Sequence, residues 1–450
     1  MNPTSIHAQP PLEYIPPDFN PWIWRGVKTL LPLWLQWQTT IKEIEGKNIE
    51  QLADLYQQFQ AGNIRFLMAF RHPSVNDPYC MGYLVWKLLP IIAKQKKITL
   101  KNLPHSHFIY DRGIPLWAGS GVGWLYSQLG GTSIQRGKLD IPGLRSAREL
   151  FVNGQFPMAA APEGATNGHN EIISPLEPGI SQLGFWCAED VQKANRKETV
   201  FIVPIGIQYF YLSPPWEPIE QLLSQLEKDV GISTQNHSLD PSKLYERLYG
   251  LGEHCLGIME NFYRQFYHQT LPDLSEQSLQ ERLEKLLNVG LEVAETYFNL
   301  KPKGNMIDRC RRLEQAGWEY IYRDDFKDIN QLSSVDKGLG DRVAEEASLR
   351  MWHMRLVESF VAVTGYYVKD KPTAERFADT VLLLWDFVAK IKGENPLSRP
   401  QLGPQQAQIT VGDPISVSDR FEGYKKNRRQ GVTHLTQDLQ DALDKLIIHS

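Results

Sequence analysis

The feature that most limits the possible folds is a short strand signal standing after a long helical stretch. Ile409-Thr410-Val411 reads as a strand, followed by GDPISV, yet residues 216 to about 395 carry no strand signal at all. A lone strand cannot stand at the end of a helical bundle, because its edges need hydrogen-bonding partners. The economical solution is that residues 405–450 return to an earlier sheet, which makes the helical stretch an insertion. A chain of 450 residues has room for two or three ordinary domains, or for one domain split in this way.

The earlier sheet is legible in outline. Val200 to Tyr211 (VFIVPIGIQYFY) is the strongest strand signal, with Pro204 inside it fitting an edge or a ladder that ends beside a site. Ile64 to Phe70 (IRFLMAF) reads as a buried strand ending at Arg71-His72, and Phe108-Ile109-Tyr110 as a short one. Helical spacing falls between them at Asn48 to Gln60, Pro78 to Leu89 and a helix ending over Glu149 to Gly154, while Pro157 to Ala161 leads into a turn. This alternation predicts an α/β fold, a mixed sheet flanked by helices. After Pro214-Pro215 the periodicity turns helical, as in Leu279, Leu283, Leu286, Leu287, Ala294 and Phe298, in Val343 to Val363, and in Glu375 to Ile391. A last amphipathic helix carries Leu435, Leu439, Leu443 and Leu446 in register. The expected boundaries are a tail and amphipathic segment over 1–47, a core over 48–212, a large all-α insertion over 213–404, and a return to the core over 405–450.

Composition narrows the function. Apolar residues make up 42% and charged residues 22%, which excludes disorder and rod-like repeats. A net charge of -4 gives no basic field for nucleic acid. Four dispersed cysteines without a CxxC pair argue for a reducing compartment and against a structural zinc. The most apolar run, Tyr79 to Ala93, is too short to span a bilayer and carries Lys87, and the N-terminus has no secretory signal. Residues 1–20 read as a tail. Four of the twelve tryptophans, Trp22, Trp24, Trp34 and Trp37, fall in PWIWRGVKTLLPLWLQW beside Arg25 and Lys28. That segment is an N-terminal amphipathic helix, either seated in a membrane interface or folded back on the core.

The chemistry-bearing residues begin with His72 and Asp77 in FRHPSVNDP. Five residues apart on one helix they would not meet. Here a strand ends at His72 and a helix begins near Pro78, so Asp77 is the expected N-cap and the turn can return its carboxylate to the imidazole. A carboxylate-oriented histidine is a general base for a hydroxyl or water. Three more pieces follow in order: GGTSIQRG with Arg136, APEGATNG with Glu163 and Gly164, and Val203-Pro204. Over residues 50–212 this series resembles the bacterial glycerolipid acyltransferases of the 1-acylglycerol-3-phosphate acyltransferase family, and VGDPISV with the final helix resembles that family's closing segment.

The resemblance implies that His72 deprotonates a glycerol-backbone hydroxyl as it attacks a fatty acyl thioester, with Asp77 holding the imidazole. It implies that Arg136 meets the acceptor phosphate, whose oxygens its planar fork suits, and that Glu163 and Gly164 shape the acceptor site. No metal and no cofactor are implied; acyl-CoA or acyl carrier protein serves as co-substrate, and a lysophospholipid or similar lipid is the acceptor. The implied location is the cytoplasmic side of a membrane, as a peripheral or monotopic protein. Two departures stand out: Arg71 where the family usually has Asn before the His, and Ala161 and Thr166 where the third motif commonly has Phe and Arg. Arg71 or Lys138 could replace that lost arginine. The departures leave room for a non-phosphorylated alcohol as acceptor, or for a non-catalytic lipid-binding protein of the same fold. Other signals are weaker. Gly119 to Gly123 lacks the context of a nucleotide loop and fits close helix packing, His105 and His107 lack a third ligand, and no GxSxG elbow occurs. The basic run Lys425 to Arg429 is a solvated face or a dock for anionic lipid or an acidic carrier.

Overall fold

The computed structural model describes residues 6–135, 139–233, 237–271, 278–360, 363, 365–394 and 398–448. The chain forms two compact units, one from residues 14–135, 139–213 and 403–450, the other from the described parts of 1–13 and 214–402.

The first unit is α/β. Its strands are β1 (Ile41–Lys47), β2 (Ile64–Phe70), β3 (His107–Asp111), β4 (Gly131–Ile134), β5 (Met158–Ala160), β6 (Thr199–Tyr211), β7 (Gln405–Val411) and β8 (Ile415–Ser416). They lie in the order β1-β7-β6-β2-β5-β3-β4, with β8 also on β6. The run from β6 through β4 is parallel, whereas β7 and β8 are antiparallel to β6. The returning strand therefore sits inside the sheet, between β1 and β6. The charged edge strand β1, with Lys42, Glu43, Glu45 and Lys47, discourages further pairing. β1 and β5 have no clear sequence signal: the first is mostly polar because it is an edge, and the second is only three residues long.

β2 explains the layering. All seven of its residues are buried, and their alternation splits them between two cores. Ile64, Phe66, Met68 and Phe70 join the helices α1 (Pro21–Gln38), α2 (Ile49–Gln60) and α3 (Asp77–Tyr83) on one face. Leu67 and Ala69 join the helices Ile141–Asn153, Gly179–Lys193 and Arg428–Asp444 on the other. Arg65, inside this apolar run, donates to the carbonyls of Leu150, Phe151 and Gly154 at a helix C-terminus, satisfying acceptors that the helix leaves open. Burial lowers its pKa to about 10.

Several details differ from the sequence expectation. Residues 14–20 are not a tail: Ile15, Asp18 and Asn20 bond to Ser133, Ser127 and Gln128. Residues 7–9 belong to the other unit, where Gln9 bridges Tyr322 and Ala8 is buried. Pro157 to Ala161 contains the short strand β5 and then leads into the turn at Pro162-Glu163. Pro204 neither ends β6 nor lies at an edge. Its missing N–H falls at the changeover from β8 to β7, and its carbonyl accepts from Gly412, so no ladder bond is lost. The helix after α3 continues through a π turn at Leu84–Leu88 to Gln95, with Pro90 removing the N–H that a regular α ladder would need. Leu446 lies just past the terminal helix but still packs with Leu435, Leu439 and Leu443.

The second unit is helical, with long helices Trp216–Asp229, Pro241–Tyr267, Leu279–Tyr297, Met306–Ile321, Ser334–Phe360 and Ala374–Lys392. Its helices are tied by ion pairs such as Arg309–Glu295 and Arg282–Glu260, at 2.7 and 2.9 Å. No strand occurs in it among the described residues.

Because β7 fills the sheet between β1 and β6, Ile409→Ala should lower the opening free energy of β1 and β6 amides by about 2–5 kcal/mol. Native-state hydrogen exchange measures this, and unchanged protection would show that β7 is dispensable to the sheet.

Candidate functional site

The sequence-predicted residues gather where parallel strands end. His72 follows the carboxyl end of β2, Glu163 and Gly164 follow that of β5, and β4 ends at Ile134. In α/β sheets this edge is where ligands bind. Arg136 and Lys138 lie outside the described residues.

At the end of β2, the Arg71 N–H still pairs with the Ile205 carbonyl of β6 at 3.0 Å. The next N–H, of His72, turns away and donates to Glu163 Oε1 at 2.8 Å. The imidazole Nδ1 then lies 2.9 Å from Asp77 Oδ2. The same oxygen accepts the Ser74 N–H at 2.8 Å, which closes the turn. Helix α3 starts at Asp77, so Asn76 holds the N-cap position without a side-chain cap bond. The expected N-cap role of Asp77 is thus replaced: its carboxylate serves the turn and the histidine. Asp77 is fully buried, whereas 21% of the His72 side chain is exposed. No described residue hydrogen-bonds Nε2, and the ring packs edge-on against Phe70.

The second oxygen of Asp77, Oδ1, accepts a hydrogen bond from the Tyr209 hydroxyl. Burial, followed by the neighbouring Asp77 charge, holds that phenol well above its ordinary pKa, so it remains a donor. Cys80 Sγ lies 3.5 Å from the same hydroxyl, and burial likewise pushes its thiol up.

Glu163 is also buried. Its oxygens accept from His72 N, from Asn167 Nδ2 at 2.8 Å and from Ser174 N at 3.0 Å. Burial raises its carboxyl, while the charge of Arg71 and the N–H donors oppose the shift. Its oxygens face the protein, so it shapes the site by bracing the 163–174 loop against the His72 backbone. Gly164 has φ +74°, a left-handed conformation that favours glycine. Arg71 is fully buried and donates to the carbonyls of His169, Asn170 and Ile172 at 3.1, 2.6 and 2.8 Å. Asn170 in turn grips Tyr209, donating to its carbonyl and accepting its N–H, both at 2.7 Å.

The weaker signals have structural explanations. His105 bonds Trp86 and the Leu129 carbonyl, with burial taking its pKa to about 3, and His107 bonds the Gly130 carbonyl. Gly123 packs so closely that a Cβ would come within 2.8 Å of Pro115. In the basic run, Lys425 pairs with Glu422 and Arg428 with Glu189. The sequence reading missed Tyr209, Asn170, Asn167 and Ser174. Only Tyr209 sits in a recognised element, and its distance to Asp77 depends on β6 lying beside β2.

No family model and no curated protein matches the chain.

Raising a carboxyl on folding means that its contribution to stability is full below the unfolded-state pKa and lost as pH rises through the native value. Glu163→Gln removes this titration. The urea midpoint of the native protein should therefore lose ground to that of the variant as pH rises from the ordinary carboxylate range through the raised native value. A difference that stays constant with pH would contradict the role of burial at Glu163.

Proposed function

We propose that the protein is an O-acyltransferase that moves a fatty acyl group from a thioester to a glycerol-backbone hydroxyl at a membrane surface. The observation that carries this reading is the pairing of His72 Nδ1 with the buried Asp77, which leaves Nε2, at the carboxyl end of β2, without a hydrogen-bond partner among the described residues. The likeness of its motifs to the 1-acylglycerol-3-phosphate acyltransferases selects the reaction, with 1-acylglycerol-3-phosphate as acceptor and phosphatidic acid as product. A donor on acyl-CoA or acyl carrier protein serves equally in this scheme.

In the proposed step, His72 Nε2 takes the acceptor hydroxyl proton as the oxygen attacks the thioester carbonyl. Asp77 steadies the imidazolium that forms. The tetrahedral intermediate expels the thiolate, which recovers the proton from His72 and leaves as a free thiol. An ester bond has replaced a thioester bond, with no net proton change and no acyl-enzyme. Arg136 is proposed to meet the acceptor phosphate.

Membrane attachment is proposed at α1. Asn20 caps this helix and Pro21 opens it, and Trp24, Leu31 and Leu35 face the core. Trp22, Leu30, Leu33, Trp34 and Trp37 face outward and are exposed. Folding back on the core and meeting lipid are therefore compatible on two faces of one helix. No helix among the described residues is long and apolar enough to cross a membrane. Arg25 lies over the exposed Trp22 ring, where anionic headgroups would attract it, whereas Lys28 is half-buried over the core-facing Trp24. Tyr79 of α3, two residues after Asp77, touches Trp34 at a 6.2 Å ring separation, so this helix lies close to the site.

His72→Ala should abolish acyl transfer to a lysophospholipid, and Asp77→Asn should lower kcat about 10²–10⁴-fold, measured by mass analysis of the product with both thioester donors. Wild-type turnover by the His72→Ala protein would overturn the assignment. Trp22→Ala with Trp37→Ala should cut flotation on anionic liposomes about tenfold; transfer by this variant to a water-soluble acceptor should persist.

A further inference from the structure

We infer that Tyr209 is a positioning residue that sets the basicity of His72 through Asp77. The chain of contacts is continuous. The Tyr209 hydroxyl donates to Asp77 Oδ1, while Oδ2 accepts from Ser74 N and faces His72 Nδ1. Asp77 therefore has one oxygen for the histidine turn and one for β6. A carboxylate that shares its charge with a phenolic donor holds an imidazolium less tightly than one without that donor. Tyr209 thus takes up part of the Asp77 charge that would otherwise face His72 alone.

The phenol is built in rather than incidental. Its backbone leaves the β2 ladder beyond Ile205, and the Asn170 side chain takes the place of a strand neighbour with two hydrogen bonds. Arg71 holds the Asn170 carbonyl. Because Arg71 immediately precedes His72, the same loop that Glu163 braces against His72 also fixes the height of Tyr209 along β6. One closed circuit, Arg71 to Asn170 to Tyr209 to Asp77 to His72, fixes both ends of the dyad.

The charged and titratable groups that bond to or face the dyad include Arg71 from the end of β2, Asp77 and Cys80 from α3, Glu163 from the loop after β5 and Tyr209 from β6, and the buried His169 and Glu171 lie further along that loop. Asp444 lies beyond Arg71 at the end of the terminal helix. Tyr209→Phe changes only one of them and keeps the ring that fills the core.

The inference rests on His72 being the base of the proposed reaction, but its primary readout needs no turnover. The His72 ring, titrated by carbon-13 NMR in the full-length Tyr209→Phe protein, should have its pKa raised by about half a unit or more. The acid limb of kcat/KM should move upward by the same amount, with kcat lowered about tenfold and KM unchanged. An isosteric counterpart, 3,5-difluorotyrosine at position 209, is a stronger donor and should move the His72 pKa downward. It decides the matter should the phenylalanine protein fail to fold. An unchanged His72 titration in either folded protein overturns the inference. Absence of acyl transfer by the wild-type protein would overturn the proposed reaction instead, and the NMR titration would still decide the role of Tyr209.

Discussion

A carboxylate cannot be taken out of water without donors to replace it, and Asp77 is fully buried. Much of the site's architecture supplies that need. Ser74 provides a main-chain N–H, His72 its ring nitrogen and Tyr209 its hydroxyl. Each comes from a different constraint. The Ser74 bond requires the tight turn between β2 and α3, the His72 bond requires the strand to stop at Phe70, and the Tyr209 bond requires β6 to lie beside β2. Losing any one would leave a buried charge underpaired, a cost of roughly 1–3 kcal/mol or more. The geometry of the candidate base is thus bound to the stability of the sheet.

The remaining buried charges follow the same logic. Arg71 has the carbonyls of residues 169, 170 and 172 as acceptors, and Glu163 has the N–H groups of His72 and Ser174. Together they turn the segment after β5 into a rigid brace. Arg71 gives both terminal nitrogens to this task and is fully buried, so it presents no exposed donor to a phosphate. The proposed acceptor phosphate would have to be met by other residues.

Much of this was readable from residues alone. The return of residues 405–411 to the sheet followed from the need of a strand for partners, and the His72–Asp77 pairing from a strand stop and a proline that opens a helix. What escaped was set by tertiary neighbours. β1 is polar because it is an edge, and β5 is too short to show a period. By sequence alone Pro204 fits an edge or a ladder that ends, because sequence does not reveal that two different strands meet opposite it. Tyr209 lies 132 positions from Asp77, and no local pattern marks a pairing that depends on strand order. The tryptophan cluster posed a choice between core and interface, and α1 divides its residues between the core and the exposed surface.

In the proposed site, Asp77 holds His72 with its proton on Nδ1 and its lone pair on Nε2. Nitrogen-15 NMR of the labelled imidazole in the full-length protein, above its titration, reads the tautomer directly. The expected form is Nδ1–H, with that nitrogen hydrogen-bonded and Nε2 unprotonated. An Nε2–H tautomer, or a rapidly exchanging mixture of the two, would contradict it.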